Sequence, residues 1–111
     1  MEEKQWFNLM RTALVGQDFS EMVGTFHEVK VDDRLRLVRE PDNPHDSHAV
    51  RVEWRSAEGV VRKAGYVSRS VNMTLARLMD AGYAVRARVR EVTPDGRNFW
   101  MDIQMEAKGK V

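Results

Sequence analysis

Residues 83–106 narrow the possible folds more than any other part of this chain, because they read as one β-hairpin whose two faces sort themselves. Thr93-Pro94-Asp95-Gly96 is a type I turn sequence followed by a glycine bulge. With Pro94, Asp95 and Gly96 as the loop, Thr93 faces Arg97, Val89 faces Met101, Ala87 faces Ile103 and Val85 faces Met105. The other face then pairs Arg90 with Trp100, Arg88 with Asp102 and Arg86 with Gln104. One face is apolar and the other polar, and a slip of one residue would mix them. The Arg86, Arg88 and Arg90 stripe is read as a solvated strand face answered by Asp102 and Glu106, against the alternative of a phosphate-tracking face.

Shorter alternating runs precede this hairpin. Residues 34–39 set Leu35 and Leu37 against Arg34 and Arg36. Residues 48–54 put Val50, Val52 and Trp54 on one face, and residues 60–67 return after a loop over 55–59. Residues 19–27 read as a strand interrupted by Gly24 and ending at His27. Two segments carry helical spacing instead. In 4–15, Trp6, Met10, Ala13 and Leu14 form a stripe before Gly16, and in 70–82 Val71, Leu75, Leu78 and Met79 do so before Gly82. Ser68 or Ser70 can cap the second helix. The expected fold is mainly β with two helices, a small six-stranded barrel of the OB or SH3-like kind. An N-terminal helix over 1–17 packs on a barrel over 18–106, and 107–111 form a flexible tail.

Composition removes whole classes of chemistry. The 111 residues hold no cysteine, which excludes a disulfide scaffold, a thiolate metal site and a thiol nucleophile. No apolar run is long enough to span a membrane, and the Met-Glu-Glu-Lys start lacks the basic character of a secretory signal. The expected location is the cytoplasm. The net charge is +1, so the chain is not a strongly basic nucleic-acid binder. Five lysines leave 13 of the 18 basic residues as arginine, the side chain suited to phosphate and carboxylate forks. No Gly-x-x-x-x-Gly-Lys occurs, so ATP-driven work would need another chain.

The densest turn chemistry lies in Arg39-Glu40-Pro41-Asp42-Asn43-Pro44-His45-Asp46-Ser47-His48-Ala49. Two prolines fix φ, and Asp42, Asn43 and Asp46 can cap local amides. Three uses of such a rigid loop compete. His45, Asp46, His48 and His27 could ligate a metal and serve a hydrolase. A His/Asp pair could work as acid and base, but no nucleophile or oxyanion donor set accompanies it. The third use is a structural turn that presents side chains at the mouth of the barrel, which is compatible with binding a ligand.

The order of these signals resembles the HIRAN domain. The resemblance rests on Val23-Gly24-Thr25, then Leu35-x-Leu37-x-Arg39-Glu40-Pro41-x-Asn43-Pro44-x-Asp46-x-x-Ala49-Val50-x-Val52. Gly65-Tyr66-Val67 follows, and then the Leu75-Ala76 helix ending at Gly82. It covers roughly 19–106, and Arg39–Val52 carries most of its weight. HIRAN domains occur at the N-terminus of some Swi/Snf-type DNA translocases and alone in bacterial proteins. The resemblance implies a six-stranded barrel that binds single-stranded DNA at a free 3′ end. Two rings sandwich the terminal base, a carboxylate takes the terminal 3′-hydroxyl, and basic residues hold phosphates.

Carried onto this chain, the carboxylate is Asp46 and the rings are His27 and His45. Tyr66 and Arg69 follow as polar and basic positions, and Phe99 or Trp100 supplies a further aromatic. Arg39 joins the DNA-binding set. Phe26 stands where an arginine is expected, and both ring positions are His where DNA-end binders carry Tyr. The implied protein is a stand-alone, non-catalytic DNA-binding module without metal or cofactor, whose partners are single-stranded DNA and a DNA translocase or repair protein. The alternative is a protein-interaction or regulatory module of the same fold without DNA binding.

Overall fold

The structure, a computed structural model, describes residues 5–16, 20–22 and 24–110. Strands β1 (Phe7–Val15), β2 (Arg34–Arg39), β3 (Val50–Arg55), β4 (Val61–Val67), β5 (Tyr83–Asp95) and β6 (Asn98–Lys110) follow one another, with helix α1 (Arg69–Asp80) between β4 and β5. The strands close into an antiparallel barrel in the order β1-β4-β3-β2-β5-β6. Leu14, Val50, Val52, Val67, Leu75, Val89, Ile103 and Met105 fill its interior with almost no exposure. No helix is long and apolar enough to cross a membrane among the described residues.

Strands β2, β3 and β4 and helix α1 lie where alternation and helical spacing place them. Ser68 caps α1 by accepting from the Ser70 N–H at 3.3 Å, and Gly82 leaves the helix at φ +92°. His48 and Ala49 fall outside β3, because Ala49 N–H closes a turn on the Asp46 carbonyl at 3.1 Å.

The N-terminal helix expected over 1–17 is instead strand β1 in its described part, so the fold has one α-helix rather than two. Leu14 belongs to both a 3.6-residue and a two-residue stripe, so the local pattern is ambiguous. Pairing decides it. As a strand, β1 joins β6 from Phe7↔Ala107 to Ala13↔Asp102 and meets β4 at Leu14↔Val67 and Val15↔Tyr66, closing the barrel. Tertiary ladders of this kind override local propensity. The strand expected over 19–27 is absent. Glu21, Met22, Gly24 and Thr25 form turns and Phe26–Glu28 a 3-10 turn, while Phe19 and Val23 lie outside the described residues. The tail expected from 107 is also ordered strand through Lys110, since β1 gives β6 a second neighbour and Ala107 is buried between Phe7 and Val85.

The final hairpin keeps its faces but not its register. Its loop is the two residues Gly96 and Arg97, closed by Asp95↔Asn98, and only Gly96 has positive φ, as at the first position of a type II′ turn. With one residue of β5, Arg90, bulged out of the ladder, Val89 faces Ile103, Ala87 faces Met105, Arg88 faces Gln104 and Arg86 faces Glu106. From Val89 back to Val85 this is a slip of two, which leaves those side chains on their expected faces. A bulge between Val89 and Glu91 then flips β5, so that Val92 rather than Glu91 turns inward opposite Met101. Val85 is half-buried rather than buried. Arg88 pairs with Asp32 at 2.6 Å, while Asp102 is taken by Arg11 of β1.

One close approach governs the β1–β4 seam. A Cβ on Gly65 would lie 2.6 Å from the Val15 carbonyl oxygen and 3.0 Å from the Leu14 side chain. Only glycine lets the two backbones meet there. Gly65→Ala is expected to destabilise the protein by ~1–3 kcal/mol, read as a lowered urea midpoint. An unchanged midpoint would mean that the seam does not hold the barrel closed.

Candidate nucleic-acid interface

A cleft of about 480 Å³ opens where the β1–β4 seam meets the loop between β2 and β3 and the start of α1. The loop is three consecutive turns. Asn43 N–H donates to the Glu40 carbonyl at 3.1 Å, Asp46 N–H to that of Asn43 at 3.3 Å, and Ala49 N–H to that of Asp46. Glu40 N–H closes the base by donating to Ala49 at 3.0 Å. Asn43 Oδ1 accepts from the His45 N–H and Asp46 Oδ1 from the His48 N–H, each at 2.9 Å. The prolines and side-chain caps read from the sequence thus produce a rigid loop.

Asp46 is the centre of this cleft. Its Oδ2 accepts from Asn72 Nδ2 at 2.8 Å, and Arg69 Nε stands 3.5 Å away. Arg69 also donates to the His45 carbonyl at 2.8 Å, so the first turn of α1 holds the loop at two points. The His48 amide, then Asn72 and Arg69, hold the Asp46 carboxyl below its ordinary range. Each carboxylate oxygen can accept two hydrogen bonds, so capacity remains for a ligand hydroxyl.

Behind Asp46 lies Glu40. Burial pushes its carboxyl up, but donation from Asn43, Tyr66 and Arg51 outweighs burial and leaves it lowered. Tyr66 donates to Glu40 Oε1 at 2.9 Å, and burial followed by this hydrogen bond raises the phenol. The Tyr66 ring is thereby fixed beside the cleft, with Lys63 Nζ 5.6 Å from its centre. Lys63 and Tyr66 share the cleft because β4 carries a bulge. Val52 pairs with Gly65 and Glu53 with Lys63, leaving Ala64 as the extra residue. In an unbroken strand, positions three apart would face opposite ways.

Of the residues singled out in the sequence, His45, Asp46, Tyr66 and Arg69 line this cleft. Arg39 does not. It supports the loop from behind, donating to the Ser47 and Ala49 carbonyls and pairing with Asp80 at 3.0 Å. His27 is exposed and does not line the cleft, and its neighbour Glu28 lines a separate groove with Arg34 and Trp54. Phe26 and Phe99 stack on each other at 5.4 Å, and Phe99 is 2% exposed. Trp100 is 58% exposed and donates to Asp95 at 3.1 Å, outside the cleft. Among the described residues, no three His, Cys, Asp or Glu side chains converge to hold a metal ion, which leaves the His27/His45/Asp46/His48 hydrolase without a site.

Sequence reasoning missed Lys63, Asn43 and Asn72 as cleft residues. The bulge that turns Lys63 toward the cleft leaves no pattern in the sequence. Asn72 does leave one, as a polar residue on the same helical face as Leu75 and Ala76, where it is 4% exposed.

A family model described as the HIRAN domain matches residues 8–111. Two crystal structures share the architecture. A protein from Lactobacillus plantarum aligns at a TM-score of 0.77 and 23% identity, covering 96% of this chain and 100% of that one. The HIRAN domain of human HLTF aligns at a TM-score of 0.65 and 25% identity, covering 91% of this chain and 75% of that one. No curated protein matches the chain.

The tie between α1 and the loop is testable through Asp46. Asn72→Ala removes a donor to the charged carboxylate, so the Asp46 titration followed by carboxyl NMR is expected to move up. A lowered folded-state pKa gives stability that is complete above the ordinary Asp range and is lost as pH falls through the lowered value. The variant is therefore expected to be less stable by about 1 kcal/mol at neutral pH, with the deficit shrinking in acid. A deficit that does not change with pH would assign the loss to packing alone.

Proposed function

The chain belongs to the HIRAN domain family, and from that membership and the cleft around Asp46 we propose that it binds single-stranded DNA near a free 3′ end, without catalysis of its own. The observation that carries this reading is the Asp46 carboxylate. It is held at both oxygens by the His48 amide and Asn72, yet keeps acceptor capacity toward a cleft bounded by His45, Tyr66, Lys63 and Arg69. A fixed acceptor of this kind suits a terminal hydroxyl, because no side chain must be ordered when the ligand arrives. His45 offers an exposed ring for the terminal base, and the two cations stand where phosphates would follow.

The two-ring sandwich implied by the resemblance is reduced here. With His27 away from the cleft, stacking falls to His45, with Tyr66 fixed by Glu40 as the other ring nearby. Binding therefore depends more on the end group and less on the base. A translocase or repair protein that exposes 3′ ends is the fitting partner.

Asp46→Ala is expected to weaken binding of a short strand ending in a 3′-hydroxyl. The unmodified protein should prefer hydroxyl over 3′-phosphate by roughly tenfold or more, the cost of an unpaired polar group with two anions opposed. The variant should narrow that preference, and His45→Ala should lower affinity for every oligonucleotide alike. Fluorescence anisotropy with 5′-labelled strands reads all three. Equal affinity for both ends, or no binding in low salt, would reject end recognition in favour of a protein-interaction module.

A further inference from the structure

We propose that the outer face at the far end of the β2–β3 ladder is a second nucleic-acid contact, a track for backbone phosphates running on from the cleft. It rests on the DNA-binding reading only in that the same strand is to occupy both. Arg34 of β2 is the cross-strand partner of Arg88 of β5. On its other side the β2–β3 register, with Leu35↔Trp54 and Arg36↔Glu53, brings Arg34 opposite Arg55. Three arginines thus stand in one row over three neighbouring strands spaced ~4.8 Å apart. Arg36 lies on the same face two residues along β2.

Like charges directly opposed across a ladder are destabilising, and this row is only partly neutralised. Arg88 is held by Asp32. Arg34, Arg36 and Arg55 are exposed and make no ion pair or side-chain hydrogen bond among the described residues. The nearby acids are already engaged. Glu53 opposite Arg36 accepts from Arg51 at 3.0 Å, and Asp33 accepts from Trp54 Nε1 at 3.0 Å and from the Lys30 amide at 2.9 Å. Glu28 alone adds uncommitted negative charge to the adjoining groove, against Lys30 on the same rim. Two grooves of about 230 and 390 Å³ share Arg34, Trp54 and Arg55, so the guanidinium groups border concave surface. Adjacent forks of this kind match consecutive phosphates.

The same face leads back to the cleft. Lys63 lines the cleft and is paired with Glu53, which is paired with Arg36. Cleft and track are therefore ~10 Å apart, two strand spacings. A strand whose end sits at Asp46 and runs along the outer face past Lys63 meets the arginines beyond its first few nucleotides. The repeating charge of a phosphodiester chain, delivered from a neighbouring site, favours nucleic acid over an acidic protein segment.

The test compares a trinucleotide with an oligonucleotide of roughly 16 nucleotides, an upper site size for an OB fold. Both end in a 3′-hydroxyl, and the protein is used with and without the triple change Arg34→Ala, Arg36→Ala and Arg55→Ala. The triple variant is expected to bind the long strand at least roughly tenfold more weakly in low salt. Its slope of log affinity against log salt should be shallower by about 2, or ~0.7 for each phosphate no longer neutralised. Trinucleotide affinity should not change, and an unchanged melting temperature confirms the fold. Unchanged long-strand affinity and slope would overturn the track, whatever the trinucleotide does. Failure of the cleft has a different signature, since Asp46→Ala would then leave trinucleotide binding intact. Capture of polyglutamate but not of the oligonucleotide, abolished in the triple variant, would overturn the track in favour of an acidic protein partner.

Discussion

The barrel depends on a seam of two residue pairs. Between β4 and β1, Leu14↔Val67 and Val15↔Tyr66 are the pairs in register among the described residues, and Gly65 lets them approach. Without that contact the barrel would open, with β1 and β4 as its two edge strands. The same two pairs also build the cleft wall, because Val15 and Tyr66 both line the cleft. Fold closure and site formation are thus one event at one place. A glycine next to an aromatic residue in β4 serves both, the first by having no side chain and the second by facing outward from the point of contact.

Around that seam, polar groups do the positioning. The loop over 40–49 is tied internally by its turns and externally by Asn72 and Arg69 from one side and Arg39 from the other. Glu40 collects Asn43, Tyr66 and Arg51 in a second tier. These ties fix where Asp46 stands before any ligand arrives, which lowers the ordering cost of binding. The carboxylate that caps a turn and the carboxylate proposed to meet a ligand are the same group. One oxygen serves the His48 amide and the other the helix.

Much of this was legible in the sequence, and the gaps have physical causes. Leu35 and Leu37, Val50 to Trp54, and the Val71–Met79 stripe gave their elements directly, because each buries one face against a core formed by near neighbours in sequence. Segment 7–15 misled because Leu14 suits either period, and its true partners lie about ninety residues away in β6. The hairpin misled because the turn at Gly96 and Arg97 moves the register by three and the bulge at Arg90 takes one back, a net slip of two that keeps Val85, Ala87 and Val89 on the apolar face. At the site, His45, Asp46, Tyr66 and Arg69 came from an ordered motif. Phe26 and Phe99 could not be told from ligand-facing aromatics, since their mutual stacking is a tertiary fact. Lys63 needed the bulge at Ala64 to be seen.

The first and last strands lie side by side, with Phe7 opposite Ala107 in the β1–β6 ladder. The start of β1 and the end of β6 are therefore brought together by a hydrogen-bonded ladder on the side of the barrel. A domain with adjoining ends can be spliced into a surface loop of a host protein without prising that loop apart. It can equally be re-cut at another loop once its original ends are joined. The β1–β6 ladder that completes the wall of the barrel thus also makes the barrel portable, a unit that enters and leaves a larger architecture at one place.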